Sequence, residues 1–568
     1  MLKFVTALML VFVALGCSKG CVSAGPAPNA ETERAFASSE QKPVEPRTAA
    51  IRIRDDVNWL ADDAREGRRT GTRGYRKAAT YVADALAEMG ASPGAKNNAW
   101  FQEIEFRAHR RNLARARLTV THEDEPAETY THFEDFLIGR NSAAEHFEVS
   151  APTVFVGFGI DNDRVQINDY EGIDANGKIA VMFTGAPEGL NSEERAYLAS
   201  MRTKIETAAN HGVIGIIFVR TEDARIRFGW ALAIRQPSRE SLTWLGPDGK
   251  PGNAGSLVHA TATLSYNGAE KFFRGALKSF DEVSASAAEV PYRSSSFDLG
   301  SHVLLKGGAI FTSSRSPNVI GIIEGADPVL KDEIVLLTAH LDHIGIDPPS
   351  PENPNTDRIN NGAMDNAIGV AIMLEVARSF KAMRHPPRRT IMIAALTAEE
   401  QGLLGAGYLA AHPPFEDKRI VANLNLDMPI ILAPFKQVVA FGAERSTIGK
   451  AVEAAAAGLG LELIEDPVPE QGLFTRSDHY QFVRKGIPSA FMFLGFEDGD
   501  PTIFNDFINS HYHRPSDEPS LPIDYEAAEL FSVLNFEIAK SLANAEVRPV
   551  WRKGDFFGET FEGPMAAD

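Results

Sequence analysis

The sequence predicts an α/β fold: a mostly parallel sheet sandwiched by helices, interrupted by a smaller β-rich α+β module. Two observations predict the sheet. After Phe297 the near-continuous apolar runs NVIGIIEG, EIVLLTAH, TIMIAAL, IVANLNLDM and SAFMFLG have the pattern of strands covered on both faces. Between them Asn366 to Met383, Gln401 to Ala411 and Thr447 to Leu459 read as helices, the alternation that a parallel sheet requires. A third observation predicts the module. From about 150 to 290, TVFVGFG, KIAVMF and VIGIIFV read as strands around a mainly helical stretch from Ser192 to His211. A chain of 568 residues also exceeds one ordinary core, so two or three domains are expected.

In chain order, Lys3 precedes the apolar stretch Phe4 to Leu15, too short for a comfortable membrane span and of the form of a secretory signal. Ala14-Leu15-Gly16-Cys17 resembles a bacterial lipobox, with Cys17 as the lipidated first residue; Val22-Ser23-Ala24 offers ordinary signal cleavage as the alternative. Residues 1–17 are therefore expected to be a lipoprotein signal, and 18–46, rich in Ala, Pro, Ser, Glu and Gly, a flexible tether. The expected product is exported: periplasmic or anchored at the outer membrane by lipid, or else secreted and soluble. Cys17 and Cys21 are the only cysteines, so the mature domains have no disulfide and no thiol nucleophile.

Residues 47–149 read as the first part of the catalytic domain. Thr72 to Gly90 forms an amphipathic helix with Ala79, Val82, Ala83 and Leu86 on one face, and the β-rich RARLTVTHE follows. Residues 150–290 make the module, 291–548 the catalytic domain with a last helix from Tyr525 to Asn544, and 549–568 a tail. Hydrophobic residues at 44% and charged ones at 23% are those of a soluble globular protein. A formal charge of −19 argues against nucleic acid as a partner, and no apolar run in the body of the chain is long enough for a bilayer.

The chemistry lies in acids and imidazoles at strand ends. His340 ends IVLLTAH, Glu399 and Glu400 follow IMIAAL, and Asp427 ends VANLNLD. In an open α/β sheet such residues converge beyond the carboxyl edge. Asp365 lies in a Gly- and Asn-rich loop at a helix start, and His513 in HYHRPSDE. Oxygen and imidazole donors without thiolates suit zinc or another first-row divalent ion. One carboxylate can bridge two ions about 3.5–4 Å apart. Asp365 is the natural bridge, with His340 and Asp427 on one ion and Glu400 and His513 on the other. Glu399 is placed as a general base, and Asp342 as a carboxylate behind the His340 ring.

Each residue alone has a plainer reading. Glu399-Glu400 could be a solvated helix start, Asp365-Asn366 an N-cap, and a lone His-x-Asp carries little. Asp427 is the sharpest anomaly, because an acid ending an apolar run needs a partner. Their joint placement at strand ends and a helix start favours the metal. His511 competes with His513, and spacing does not separate them; His343 and His479 read as pocket residues. No G-x-S-x-G elbow is present, and GVIG and GLLGAG lack the Lys-Ser or Lys-Thr of a phosphate loop.

The motifs AHLDHIG, NGAMDNAIGVA, TAEEQGLLGAGYLA, NLDM, FTRSDHYQF, KGIPSAF and YHRPSDE occur in an order that resembles the co-catalytic di-zinc aminopeptidase family, which includes secreted bacterial leucine aminopeptidases. REGRRTGTRGYRKAATYVADAL resembles that family's first helix. The resemblance implies the zinc-exopeptidase fold, two Zn2+ ions per chain and peptide substrates cleaved at the N-terminus. It implies His513 rather than His511 as last ligand, Glu399 as base, Glu400 as its ligand neighbour and Asp342 as the histidine-orienting acid. Tyr512 matches a tyrosine that stabilises the oxyanion in some relatives; Asp478 falls in a family motif without an assigned role. VFVGFGI, YEGIDANGKIAVMF and AANHGVIGIIFV are similar to the protease-associated domain inserted in many such enzymes, where it is thought to shape access to the site. The rivals are a carboxypeptidase or dipeptidase of the same clan, a glutaminyl cyclase-like transferase and a non-catalytic receptor-like relative. A carboxypeptidase would need arginines in the pocket, for which Arg476, Arg484 and Arg514 are candidates.

Overall fold

The computed structural model describes residues 47–567 except 124, 222–225, 227–228, 236–238, 253–257 and 350–353. The expected signal and tether, with Cys17 and Cys21, lie outside the described residues. Helix α1 (Ala49–Leu60) is capped by Thr48, whose hydroxyl accepts the Ile51 N–H. Helix α2 (Arg73–Glu88) is capped in the same way by Thr72 and buries the apolar face that the sequence marks. Strand β1 (Phe101–Arg111) leads into the second lobe, which holds β2 (Arg117–His122), β3 (His146–Val156) and β4 (Ile179–Phe183). There follow helices α3 (Ser192–Ala199) and α4 (Met201–Asn210), then β5 (Gly215–Val219) and β6 (Ala260–Leu264).

Strand β7 (Ser296–Ile323) belongs to both lobes. Its first part pairs with β2 and β3, and its last part with β1 and the sheet of the first lobe. Strands β3, β4, β5 and β6 pair in parallel in that order, with their own core around Phe155, Phe183 and Phe272. The second lobe therefore draws strands from outside the 150–290 span: β2, the start of β3 and the first part of β7. The alternation in RARLTVTHE marks a strand but not its sheet, and β7 runs from one lobe to the other without a turn to mark the border.

The first lobe continues with β8 (Glu333–His340), α5 (Ile368–Ala382), β9 (Thr390–Leu396), α6 (Leu404–Ala411) and β10 (Arg419–Leu426). It ends with β11 (Gln437–Phe441), α7 (Ile448–Gly458), β12 (Ser489–Leu494), α8 (Thr502–Ser510) and α9 (Tyr525–Asn544). Strands β9, β8, β10 and β12 lie side by side and parallel; β7 and β11 flank them antiparallel. Every residue of β8, β9 and β12 is buried, which explains the unbroken apolar runs. Helices α1, α2, α5, α7 and α9 cover one face, and α6 with Phe482 covers the other. Parallel strands so covered leave only their carboxyl edge open, and the polar residues collect there.

Candidate metal centre

His340 is the last residue of β8, and Asp427 immediately follows β10. Glu399 and Glu400 lie in the turn after β9, and Asp365 in an irregular turn before α5. The His340 Nε2 lies 3.2 Å from Asp365 Oδ1 and 3.0 Å from Asp427 Oδ1. On the other side His513 Nε2 lies 3.3 Å from Asp365 Oδ2 and 3.2 Å from Glu400 Oε2. Asp365 thus presents one oxygen to each group, the arrangement of a bridging carboxylate. Four donors around zinc at about 2.0–2.2 Å stand about 3.3–3.6 Å apart, close to these separations. The donor types and spacing fit a divalent ion in each group.

His511 is turned elsewhere: its Nδ1 faces the Ser516 backbone oxygen and hydroxyl at 3.1 and 3.0 Å. Tyr512 stacks on His513 with ring centroids 3.8 Å apart and lines the same cavity. The position of Asp342 predicts a carboxylate behind the His340 ring, and here the structure differs. The His340 Nδ1 faces the Asp342 backbone oxygen at 3.0 Å, while the Asp342 carboxylate accepts the Glu399 N–H and the Thr70 hydroxyl, each at 3.0 Å. Strand β8 ends at His340, so the alternation that would put residue 342 beside the ring does not continue. Asp342 positions the backbone of the proposed base instead. Burial pushes its carboxyl up to about 6.

Burial also holds the Glu399 carboxyl well above the usual range, reinforced by Glu400, Asp427 and Asp478 against the pull of His340. A carboxylate so placed takes up a proton readily, as a general base must. Glu400 differs from its neighbour. Hydrogen bonds from His343 and His513 overcome burial and hold it at about 2. His343 Nδ1 lies 2.7 Å from Glu400 Oε1, on the opposite oxygen from His513. The His343 ring packs on Gly362, where a Cβ would come within 2.7 Å of it and 2.2 Å of the Asp365 carbonyl. Only glycine fits that position, whose φ is +60°.

Several residues that hold the centre escape sequence reasoning. Arg68 is fully buried and donates to the Leu341, Leu60 and Gly362 carbonyls at 2.9, 2.9 and 2.8 Å, and to that of Asn361. Burial pushes its guanidinium down to about 10. The Asp517 carboxylate accepts the Met364 and Asp365 N–H groups at 2.8 and 3.0 Å. Asn366 accepts from Gly369 and Met428 and donates to the Leu426 carbonyl, tying the Asp365 turn to the Asp427 turn. Ser477 donates to Asp427 and accepts from Asn425. Asp517 stands in the YHRPSDE motif and Arg68 in GRRTGTRG, the only signals that could have found them. Ala398, Met428 and His513 have φ of 58°, 38° and 58°, each in or beside a ligand turn, a conformation that costs about 1–3 kcal/mol and that these bonds hold in place.

The centre opens into a cavity of about 270 Å³ lined by His340, Asp365, Glu399 and Asp427 on one side. Met428, Leu473, Phe491, Phe493, Phe504 and Ile508 form an apolar wall opposite. Arg476 lines it as well, whereas Arg484 is paired with Glu206 at 2.9 Å.

Residues 318–538 match the model of peptidase family M28. The match makes this span similar to that family. It holds every proposed ligand and Glu399. Among similar chains, aminopeptidase YwaD of Bacillus subtilis is 31% identical over 211 residues, 36% of this chain and 40% of that protein. A probable zinc metalloprotease of Leptosphaeria maculans is 34% identical over 114 residues, 20% of this chain and 24% of that protein. The match thus spans about two fifths or less of these curated relatives' length. The solved aminopeptidase from Aneurinibacillus sp. strain AM-1 is 20% identical, with 87% of this chain and 93% of that chain covered and a TM-score of 0.47.

Proposed function

We propose that this protein belongs to peptidase family M28 and is a zinc-dependent aminopeptidase holding two Zn2+ ions, one by His340, Asp365 and Asp427, the other by Asp365, Glu400 and His513. The observation that carries the reading is the shared Asp365 beside an uncommitted Glu399, all lining one cavity. Zinc in these groups supplies Lewis-acid polarisation of a carbonyl and lowers the pKa of water. Glu399 takes the proton of the attacking water and delivers it to the departing amine. Asp342 fixes the Glu399 backbone during both transfers. The acids around Glu399 accept the free α-amino group, and the apolar wall accepts a side chain of leucine or phenylalanine size. Tyr512, stacked on His513, faces the cavity and steadies the oxyanion.

The second lobe is the counterpart of a protease-associated domain; its helix α3 packs against the 469–475 loop that forms part of the cavity wall. The N-terminal segment directs export, and lipidation at Cys17 attaches the protein to the membrane. Among the described residues no helix is long and apolar enough to cross a membrane. The partners are peptides rather than nucleic acid, in keeping with the charge of −19. Arg476 in the cavity favours a second reading, a dipeptidase or carboxypeptidase that recognises a substrate carboxylate. A panel of aminoacyl anilides, assayed before and after chelation and zinc restoration, tests the proposal. Leucine and phenylalanine anilides should be cleaved only by the zinc-loaded protein, and N-acetylation should abolish cleavage. Equal cleavage of acetylated substrates would refute the aminopeptidase reading.

A further inference from the structure

Among the described residues of this acidic molecule, Arg476 forms no ion pair. Among the described residues its side chain makes one bond, from Nη1 to the Gln471 carbonyl at 3.5 Å, the limit of hydrogen bonding. Its backbone is fixed on both sides. Phe474 is fully buried between the His479 and Phe557 rings, and Ser477 is bonded to Asp427 and Asn425. Arg476 is exposed to solvent and lines the cavity that His340, Asp365 and Glu399 also line. The amides of Asn505 and Asn509, on α8, line the same space.

We propose that Arg476 forms a carboxylate-binding subsite, so that the preferred substrates are short peptides with a carboxylate one or two residues beyond the scissile bond. The inference rests on the aminopeptidase reading and narrows its substrate class. A guanidinium pairs with a carboxylate through two parallel bonds, a geometry that a peptide carbonyl cannot match. Reach is consistent with this. An extended chain spans about 3.3–3.6 Å per residue. Arg476 and the metal ligands line one cavity of about 270 Å³, so a short peptide held at the centre has the guanidinium as a neighbour. The carboxylate is either the peptide's C-terminus or an aspartate or glutamate side chain at that distance; the chemistry is shared, and the substrates below separate the sources.

The test uses the zinc-loaded full chain with Leu-Gly, Leu-Gly-NH2, Leu-Glu-NH2 and leucine p-nitroanilide, comparing the native protein with Arg476→Ala and Arg476→Lys. Amidation of Leu-Gly should raise KM about 10- to 100-fold in the native protein, the scale of one charge-assisted pair, and leave kcat within a few-fold. Arg476→Ala should raise KM for Leu-Gly by a similar factor and erase the effect of amidation. Arg476→Lys should recover part of it, and both variants should lose less on the anilide, which offers no carboxylate, than on Leu-Gly. A low KM for Leu-Glu-NH2 that depends on Arg476 would assign the side-chain source. Amidation without effect in the native protein, or equal losses on all four substrates in Arg476→Ala, would overturn the inference while leaving the aminopeptidase reading intact. No cleavage of any of the four by the native protein would sink that reading, and the inference with it.

Discussion

His340, the Glu399–Glu400 turn and Asp427 stand at the ends of β8, β9 and β10, whereas Leu473, Arg476, Phe504 and Ile508 reach the same cavity from the 469–477 loop and helix α8. The floor is buried and tied by Arg68, Asp517, Asn366 and Ser477, so that its side chains keep their positions through bonds to backbone. The wall has apolar packing and one weakly held arginine. The difference teaches where each task can be placed. Chemistry that depends on tenths of an ångström needs rigid strand ends, while selection among side chains tolerates loops that differ from one relative to the next.

The largest effect should come from the shared bridge. Asp365→Ala removes a ligand from both groups, so bound zinc should fall from two to below one per chain in elemental analysis, with activity lost. Two retained equivalents would show that the groups do not depend on it. Next is the orientation of Glu400. His343→Ala should weaken zinc at that side about 10- to 100-fold, measured by competition with a chelator, while the His340 side keeps its ion. On the wall, Phe504→Ala should lower kcat/KM about 10-fold for leucine anilide, with little change for alanine anilide, as loss of apolar contact worth about 1–3 kcal/mol requires. Unchanged metal content would separate wall from floor.

The smallest effect concerns His479, whose fully buried ring packs between Phe474 and Phe491 behind the wall. Burial pushes its pKa down to about 3. The unfolded chain therefore binds this proton first, and stability should fall as pH drops from about 6.5 toward 3, by up to about 1.4 kcal/mol per pH unit. His479→Phe should flatten that slope by one proton in urea titrations across the range. An unchanged slope would mean that the ring reaches solvent.

Much of the floor was legible because its residues break the pattern of the strands that carry them: Asp427 after VANLNL and His340 after IVLLTA are polar where apolar runs end. Helix α9 was equally plain, with bounds at Tyr525 and Asn544. What holds the floor was not. Arg68 bonds to carbonyls near 341 and 361, a separation of more than 270 residues, and a lone arginine among others reads as a surface charge. Asp342 was misjudged through adjacency: the end of β8 at His340 turns it toward Glu399, while His343, read as a pocket residue, turns toward Glu400. The lobe border was hidden because β7 serves two sheets. Arg476 was named beside Arg484 and Arg514, but only the place of the 469–477 loop beside the centre separates it from them.

The division of labour between ligands and base is tested most directly by Glu399→Gln, which keeps the shape of the side chain and removes its basicity. Metal analysis should still find two zinc ions per chain, while turnover of leucine p-nitroanilide falls about 10²- to 10⁴-fold, the contribution of a positioned base. Near-normal turnover with both ions bound would contradict the role given to Glu399.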